Sequence, residues 1–139
     1  MTSFVLVGCL GGDRFDHSVG NLNVLLAIAN HGDSGVLCTE DTKVFVLRGG
    51  RIVFTELKGA TVSVFPFDGA SCNVTYEASS TRSTSTTFGR STLGASNSIV
   101  ADRAEIRVNI GCAIVVLYTP KRKRQNHRKR TESARRRSV

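Results

Sequence analysis

The sequence lacks tryptophan, has only two prolines and one methionine, and contains no apolar run long enough to cross a bilayer. Its N-terminus lacks the basic start and the long apolar segment of a secretory signal. The four cysteines lie about 30 to 40 residues apart, without a CxxC pair or a nearby histidine at zinc-site spacing. These absences argue against a membrane protein, a secreted protein and a zinc-binding domain. They predict a cytoplasmic protein with reduced cysteines.

Acidic residues are outnumbered by basic ones, 11 to 19, which gives a formal net charge of +8. Ten of the 19 basic residues lie in residues 121–139, and the rest of the chain, with nine basic and ten acidic residues, is nearly neutral. The like charges and the scarcity of apolar residues predict a disordered tail from residue 120 onward. Nucleic acid is expected as a partner only through this tail, and nonspecifically, because no aromatic side chains are interleaved for base stacking.

An apolar run over residues 4–8 (FVLVG) is typical of a buried parallel strand. A helical pattern follows over residues 19–31, where apolar residues recur at 3.6-residue spacing. Asp16 or Ser18 is expected to cap the start of this helix, and Gly32 suits the position just after its end. The intervening loop would lie at the carboxyl end of the strand, where open α/β sheets bind ligands.

The loop itself has the residue types of a phosphate site. Gly11 and Gly12 provide flexible backbone near a helix N-terminus, and Arg14 provides a guanidinium, although neither a GxGxxG nor a Walker pattern is present. Asp13 and Asp16 could hold Mg²⁺ beside a nucleotide, because that ion prefers carboxylate oxygens. The alternative from these residues alone is a helix cap at Asp16, with Asp13 and Arg14 on the surface.

From Gly35 onward the sequence changes to short β-rich runs that are separated by turn residues. Seven such runs predict an antiparallel sandwich: residues 36–38, 44–47, 51–57, 61–67, 74–76, 104–108 and 112–118. The pair Gly49 and Gly50 predicts a tight hairpin between the second and third runs, because both central residues of a type I′ turn need positive φ. In residues 79–92, ten of the 14 residues are Ser or Thr, which predicts a long loop or a ragged hairpin.

The predicted fold is therefore mainly β, an antiparallel β-sandwich preceded by a strand-loop-helix remnant of an α/β nucleotide-binding domain. Three segments follow from this prediction. Residues 1–33 form the C-terminal fragment of the α/β domain, residues 34–119 form the sandwich, and residues 120–139 form the basic tail.

Three motifs in series give this order a family resemblance. The loop contains a GG, R, F, DH and N pattern at Gly11, Gly12, Arg14, Phe15, Asp16, His17 and Asn21. The other two motifs are residues 62–66 (VSVFP), which match a VSxxP strand, and residues 94–97 (GASN), which match a GxSN loop. Between them, the single residue Tyr76 matches a strand with a tyrosine. Over about residues 4 to 118 the chain resembles the C-terminal portion of thiamine pyrophosphokinase, also called thiamine diphosphokinase, with its thiamine-binding domain.

The resemblance implies transfer of a pyrophosphoryl group from ATP to the hydroxyl of thiamine, giving thiamine diphosphate and AMP, with Mg²⁺ accompanying ATP. It implies that Asp16 and Arg14 are catalytic, with Asp16 also a metal ligand. Gly11, Gly12, Arg14 and His17 would bind the nucleotide, and Ser96 and Asn97 would bind thiamine. Family members are homodimers with thiamine at the subunit interface, so a homodimer is implied as well.

The chain departs from the family pattern in several places. The acidic D-x-D-x-x-D cluster of the family's N-terminal half has no counterpart, and Asp13 is an insertion between the glycines and the arginine. The family's GxKYPL element is reduced to residues 74–77 (VTYE), and no tryptophan is present to stack on the substrate. We therefore expect this chain alone to hold only part of a Mg-ATP site. A noncatalytic thiamine- or nucleotide-binding module and a basic-tailed nucleic-acid-binding protein are the alternatives.

Overall fold

A computed structural model describes the backbone of residues 1–8, 10–12, 14–78, 82–89 and 94–119, and the side chains of these residues except 78, 82–89 and 94–96. These residues form one helix, α1 (Phe15–Asn30), and ten strands. The strands are β1 (Ser3–Val7), β2 (Ser34–Cys38), β3 (Thr42–Arg48), β4 (Arg51–Thr55), β5 (Thr61–Pro66), β6 (Ser71–Ala78), β7 (Arg82–Gly89), β8 (Gly94–Ser98), β9 (Arg103–Ile110) and β10 (Cys112–Tyr118).

The strands form two sheets. The large sheet has the order β1-β2-β3-β10-β5-β8, and the small sheet has the order β4-β9-β6-β7. Neighbouring strands are antiparallel except β1 and β2, which are parallel. The prediction of a mainly β fold with an antiparallel sandwich is confirmed, and each of the seven predicted runs corresponds to a strand.

The two sheets enclose the main core through alternate residues of their strands. On the large sheet, Val62, Val64 and Val115 are buried, and on the small sheet Val74 and Ile106 are buried opposite them. Because side chains alternate across a strand, one residue in two along β5 and β10 faces this core. Full burial of an aliphatic side chain contributes about 1.5–3 kcal/mol, so this layer is the main source of the fold's stability.

Helix α1 covers part of the other face of the large sheet, where it lies against β2 and β3. Leu25 is buried there against Leu37 and Val44. The helix and β2 approach closely at Gly35, where an added Cβ would lie 2.9 Å from Cδ2 of Leu25. Phe65, Ile114 and Val116 lie on the same face beyond the helix and are only partly buried.

The helix starts earlier than its apolar pattern and without the predicted cap. Its N-cap residue is Arg14, which makes no side-chain capping hydrogen bond, so the expectation of a cap at Asp16 or Ser18 is wrong. Residues 15–18 are absent from the pattern because the first turn of the helix is mostly exposed and carries no apolar periodicity. The expectation for Gly32 is confirmed, since it follows the C-cap His31 with φ +84°.

The predicted hairpin at Gly49 and Gly50 is also wrong. Both glycines have positive φ, 71° and 80°, as the turn required. The chain nevertheless crosses between sheets there, because β3 belongs to the large sheet and β4 pairs with β9 in the small sheet. The amide of Val108 in β9 donates to the carbonyl oxygen of Gly50, which stabilises the crossover instead of a hairpin.

The Ser/Thr-rich stretch contains β7, which pairs with β6 along its whole length, so the hairpin alternative is confirmed for residues 82–89. The boundary between residues 33 and 34 stays a prediction. In the structure β1 pairs with β2 at the edge of the large sheet, so residues from both sides of that boundary contribute to one sheet. Cys9, Asp13 and the basic tail lie outside the described residues.

Candidate functional site

A cavity of about 510 Å³ lies between the N-terminal end of α1 and the part of the large sheet that the helix leaves uncovered. Its walls come from the loop after β1, from the first two turns of α1, from the turn between β2 and β3, and from β3, β5 and β10. The lining residues are Leu10, Gly11, Phe15, Ser18, Leu22, Thr39, Asp41, Thr42, Val44, Phe65, Ile114, Val116 and Tyr118.

The sheet register places the floor residues side by side. Phe65 of β5 lies directly opposite Ile114 of β10, and Val116 lies opposite Ser63. Directly paired residues of antiparallel strands project to the same face, and so do residues two positions apart. The residues of β5 and β10 on this face that line the cavity are Phe65, Ile114, Val116 and Tyr118, and the first three form the apolar part of its floor.

The loop over the cavity is fixed by two glycines in the left-handed region. Gly11 and Gly12 have φ of 79° and 84°, a conformation that favours glycine, and a Cβ at either position would meet nothing within 4 Å. The amide of Gly11 donates to Oγ of Ser18 at 3.3 Å, which ties the loop to the helix. Backbone conformation, rather than lack of space, explains the glycine pair.

Arg14 and Asp16 form an exposed ion pair beside this loop. Nε and Nη2 of Arg14 donate to the two carboxylate oxygens of Asp16, at 3.0 and 2.6 Å. The hydrogen bonds from Arg14 are the main reason that the pKa of Asp16 lies below its usual value. Asp16 is therefore ionised at neutral pH, and both its oxygens already accept hydrogen bonds from Arg14.

The described residues do not fit a magnesium site. No three His, Cys, Asp or Glu residues gather in the part of the chain that the structure describes. Asp16 would have to leave Arg14 before it could bind a cation through either oxygen. Metal binding by Asp16 stays a prediction, and the catalytic role of the pair stays one too.

The turn between β2 and β3 provides a carboxylate that our sequence analysis missed. Oδ1 of Asp41 accepts hydrogen bonds from Oγ1 of Thr39 at 3.2 Å and Oγ1 of Thr42 at 3.0 Å. The amide of Thr39 donates to the carbonyl oxygen of Thr42 at 2.8 Å and closes the turn. Because β1 and β2 are parallel, their carboxyl ends meet at one edge of the sheet, and Asp41 lies at the same edge as the glycine loop.

The structure brings only some of the predicted site residues together. Gly11 lines the cavity, while Gly12, Arg14, Asp16 and His17 are exposed in the loop and the first turn of the helix. Ser96 and Asn97 lie on β8, at the opposite edge of the large sheet, with β10 and β5 between β8 and β3. Asn97 is exposed and pairs with Val62, and it is absent from the described cavity lining.

A second charged cluster lies on the outer face of the small sheet. Glu105 is only 4% exposed at its side chain and accepts hydrogen bonds from Arg103 at 3.1 Å and Arg107 at 2.9 Å, with Arg51 at 3.8 Å. Burial raises the pKa of Glu105, but the two hydrogen bonds and the charges of Arg51 and Arg107 outweigh burial and lower it. This cluster links β4 to β9, and no described residue of it lines the cavity under α1.

Among the described residues, no helix has both the length and the apolar composition needed to cross a membrane. No protein-family model matches the chain, and no curated protein matches it by sequence.

Several solved structures are similar to this chain. Thiamine pyrophosphokinase from Bacillus subtilis matches with a TM-score of 0.71 and 20% identity, over 84% of this chain and 55% of that one. The enzyme from Geobacillus thermodenitrificans matches with a TM-score of 0.72 and 21% identity, over 87% and 56%. The enzyme from Candida albicans matches with a TM-score of 0.69 and 13% identity, over 84% and 44%.

The present chain spans about half the length of these proteins. The similarity extends over most of the chain and agrees with the family that the three sequence motifs indicated. The chain therefore has a thiamine pyrophosphokinase-like fold.

Proposed function

We propose that this chain binds thiamine in the cavity between α1 and the large sheet, and that it serves pyrophosphoryl transfer from ATP to the thiamine hydroxyl, giving thiamine diphosphate and AMP. The observation that carries the proposal is the fold, which the chain shares with thiamine pyrophosphokinases over 84% to 87% of its length. The loop motif that marked the family in the sequence lies at this cavity, and Gly11 is part of the wall.

The cavity has the size and lining that a small two-ring molecule needs. Its volume of about 510 Å³ falls in the range of about 300–1,000 Å³ that is usual for small-molecule sites. The floor is apolar, and hydroxyl and carboxylate groups lie around it at Ser18, Thr39, Asp41 and Thr42. In the proposal, apolar contact provides affinity and these polar groups orient the ligand.

The loop after β1 is the proposed phosphate side of the site. The N-cap residue Arg14 makes no side-chain capping hydrogen bond, and the positive dipole end of the helix, which favours an anion, lies at this point. Arg14 lies at the same point and would exchange Asp16 for phosphate oxygens, with Gly11, Gly12 and His17 beside it. In the proposal the nucleotide lies next to the cavity, and positioning of this kind is the main requirement of phosphoryl transfer.

Ser96 and Asn97 have a different place in the proposal. They lie on the edge strand β8, away from the cavity in the same chain. In the homodimer that the family resemblance implies, an edge strand can act on a ligand that is bound at the subunit interface. Size-exclusion chromatography with light scattering tests the homodimer, with twice the chain mass as the expected result.

Magnesium chemistry is not assigned to this chain. The described residues offer two carboxylates near the loop, Asp16, which is paired with Arg14, and Asp41, which is held by its own turn, and the 139-residue sequence has no D-x-D-x-x-D segment. The proposal therefore gives this chain the thiamine-binding role and assigns none of its residues to magnesium.

Calorimetry with thiamine tests the proposal. We expect saturable heat with a stoichiometry of one thiamine per chain, and no heat at millimolar thiamine would contradict the proposal. Val116→Phe fills the floor of the cavity and should abolish binding, because the added ring takes the ligand's volume. Val53→Phe is the matched control, since Val53 is exposed on β4 of the small sheet and should leave binding unchanged.

A noncatalytic thiamine-binding module is the second candidate, and the occupied carboxylate of Asp16 favours it. Incubation of the chain with thiamine, ATP and Mg²⁺, followed by chromatography for thiamine diphosphate and AMP, distinguishes the two. Formation of both products in equal amounts establishes transfer by the chain itself. Thiamine binding without product establishes the module.

A further inference from the structure

The mostly apolar lining of the cavity contains one carboxylate. Of the described residues that line it, Asp41 alone carries a charge. The aromatic rings of Phe15, Phe65 and Tyr118 belong to the same lining. A carboxylate in apolar surroundings favours a positively charged partner, and aromatic faces attract cations as well. The lining therefore combines two features that select for a cationic ligand.

The carboxylate of Asp41 is held in place by its own turn. Oδ1 accepts hydrogen bonds from the hydroxyls of Thr39 and Thr42, while no hydrogen bond from a described residue reaches Oδ2. The backbone carbonyl of Asp41 accepts from the amide of Thr119 at 2.9 Å, which fixes the turn to the end of β10. One oxygen thus orients the group, and the other has no hydrogen-bond donor among the described residues and can face a ligand.

No basic side chain of the described lining competes for this carboxylate. Arg14 is near the loop, but its guanidinium is paired with Asp16 and does not line the cavity. The positive end of the α1 dipole disfavours a cation close to the first turn of the helix, and its influence falls off within that turn. A cationic ring would therefore lie toward Asp41, at the side of the cavity formed by the β2–β3 turn.

We propose that Asp41 is a specificity-determining residue of the cavity and selects a planar aromatic cation. The inference rests on the proposed function, in which this cation is the thiazolium ring of thiamine. Asp41 and the glycine loop lie at the same edge of the sheet, so a thiazolium ring at Asp41 extends its hydroxyethyl arm toward the loop. The carboxylate thereby also sets the direction in which the hydroxyl points.

The test compares thiamine with its isostere in which a carbon atom replaces the thiazolium nitrogen, so that the ring is neutral. Calorimetry gives both dissociation constants for the unsubstituted chain and for Asp41→Asn. The unsubstituted chain should bind thiamine about tenfold more tightly than the neutral isostere, because the ring cation is attracted to the carboxylate by Coulomb forces alone; tenfold corresponds to about 1.4 kcal/mol. In Asp41→Asn this preference should disappear through weaker thiamine binding, with binding of the isostere unchanged.

Glu40→Gln is the matched control. Glu40 is the residue before Asp41, its side chain is exposed, and it is absent from the described lining, so the substitution removes the same charge outside the cavity. It should keep the tenfold preference. Asn at position 41 can still accept the two threonine hydrogen bonds, and thermal melting checks that the variant is folded. Phe65→Leu removes an aromatic face and should lower the preference about threefold, as a cation–π contact of roughly 0.5–1 kcal/mol requires.

The outcomes separate this inference from the proposed function. Equal affinities for thiamine and the isostere in the unsubstituted chain overturn the inference, and that measurement needs no variant. A tenfold preference that survives in Asp41→Asn also overturns it, and in both cases thiamine binding itself stands. Failure of the unsubstituted chain to bind thiamine overturns the proposed function and the inference with it.

Discussion

The two faces of the large sheet are built from alternate residues of the same strands, but their side chains differ in how deeply they are buried. On the face toward the small sheet, Val64 and Val115 are completely buried. On the face toward α1, Phe65 and Val116 are only partly buried, because the helix covers β2 and β3 and leaves β10 and β5 to the cavity. One face contributes stability, and the other is left open for a ligand.

The difference in burial arises because the two faces are covered by different numbers of helices and strands. In the part of the chain that the structure describes, four strands of the small sheet are available to cover the inner face, while one helix of 16 residues covers the outer face. A helix is about 10 Å wide and neighbouring strands lie about 4.8 Å apart, so one helix covers about two strands. The cavity is therefore a geometric consequence of the fold, and its lining determines what can enter it.

The largest loss of stability is expected when a glycine of the sandwich is replaced by alanine. The same replacement at a glycine of the loop after β1 serves as the comparison. Gly111 has φ +86°, and an added Cβ would lie 2.8 Å from the carbonyl oxygen of Ser71. Gly111→Ala should cost about 3 kcal/mol or more of unfolding free energy, since strain and a backbone clash combine. Gly12→Ala has the strain without a clash and should cost about 1 kcal/mol.

Urea unfolding measures both glycine variants. If Gly111→Ala and Gly12→Ala lose equal unfolding free energy, the close approach of Gly111 to Ser71 does not contribute to the loss. The packed sandwich and the open loop would then not differ at these glycines.

The next effect compares neighbouring residues of β10 that face opposite sides. Val115→Ala should cost about 2–3 kcal/mol, because it leaves a cavity in a sealed core. Val116→Ala should cost about 1 kcal/mol or less, because Val116 is already only partly buried on one side of a cavity. Thermal and urea unfolding give both values, and a larger loss for Val116→Ala would reverse the assignment of the two faces.

A smaller effect concerns the ion cluster on the small sheet, and it depends on pH. The pKa of Glu105 is lowered in the folded protein, so its contribution to stability is complete above the ordinary carboxyl pKa and is lost as pH falls through and below that value. Glu105→Gln should lower stability at pH 7, by less than Val115→Ala because the three arginines stay half exposed. The difference from the unsubstituted chain should shrink as the pH is lowered.

Unfolding curves between pH 2 and pH 7 for Glu105→Gln and for the exposed control Glu40→Gln test this prediction. A stability difference for Glu105→Gln that stays constant across this range would show that protonation of Glu105 is not responsible.

The smallest effect is expected at the exposed pair of Arg14 and Asp16. Exposed ion pairs contribute little to stability, since solvent screens them and side-chain entropy opposes them. Asp16→Asn should therefore leave the melting temperature unchanged within error, although it frees Arg14. A clear loss of melting temperature would mean that the loop is part of the folded core and not a separate, open region.

Local patterns predicted the elements of this fold better than their connections. Alternating and apolar runs identified β1 to β6, β9 and β10, because the pattern of apolar residues is a property of each strand alone. The pair Gly49 and Gly50 has the predicted φ values but joins two sheets, since a left-handed glycine pair is compatible with a hairpin and with a crossover. Sheet membership depends on long-range pairing, which no local pattern contains.

The candidate site shows the same division. The glycine loop could be recognised from its residues and from family motifs, and the fold comparison agrees with that family. Asp41 could not be recognised in this way. Its place at the cavity depends on the parallel pairing of β1 with β2 and on α1 leaving β10 uncovered. A search for polar turns after the strand that follows the glycine loop would have found residues 39–42.

A methyl NMR titration with thiamine shows which face of the large sheet receives the ligand, because it reports on both faces in one experiment. We expect saturable shifts at Val44, Ile114 and Val116, which line the cavity, and none at Val64, Val74 and Val115, which lie in the sandwich core. Shifts confined to the core valines, or no shift of any methyl group at millimolar thiamine, would contradict the account.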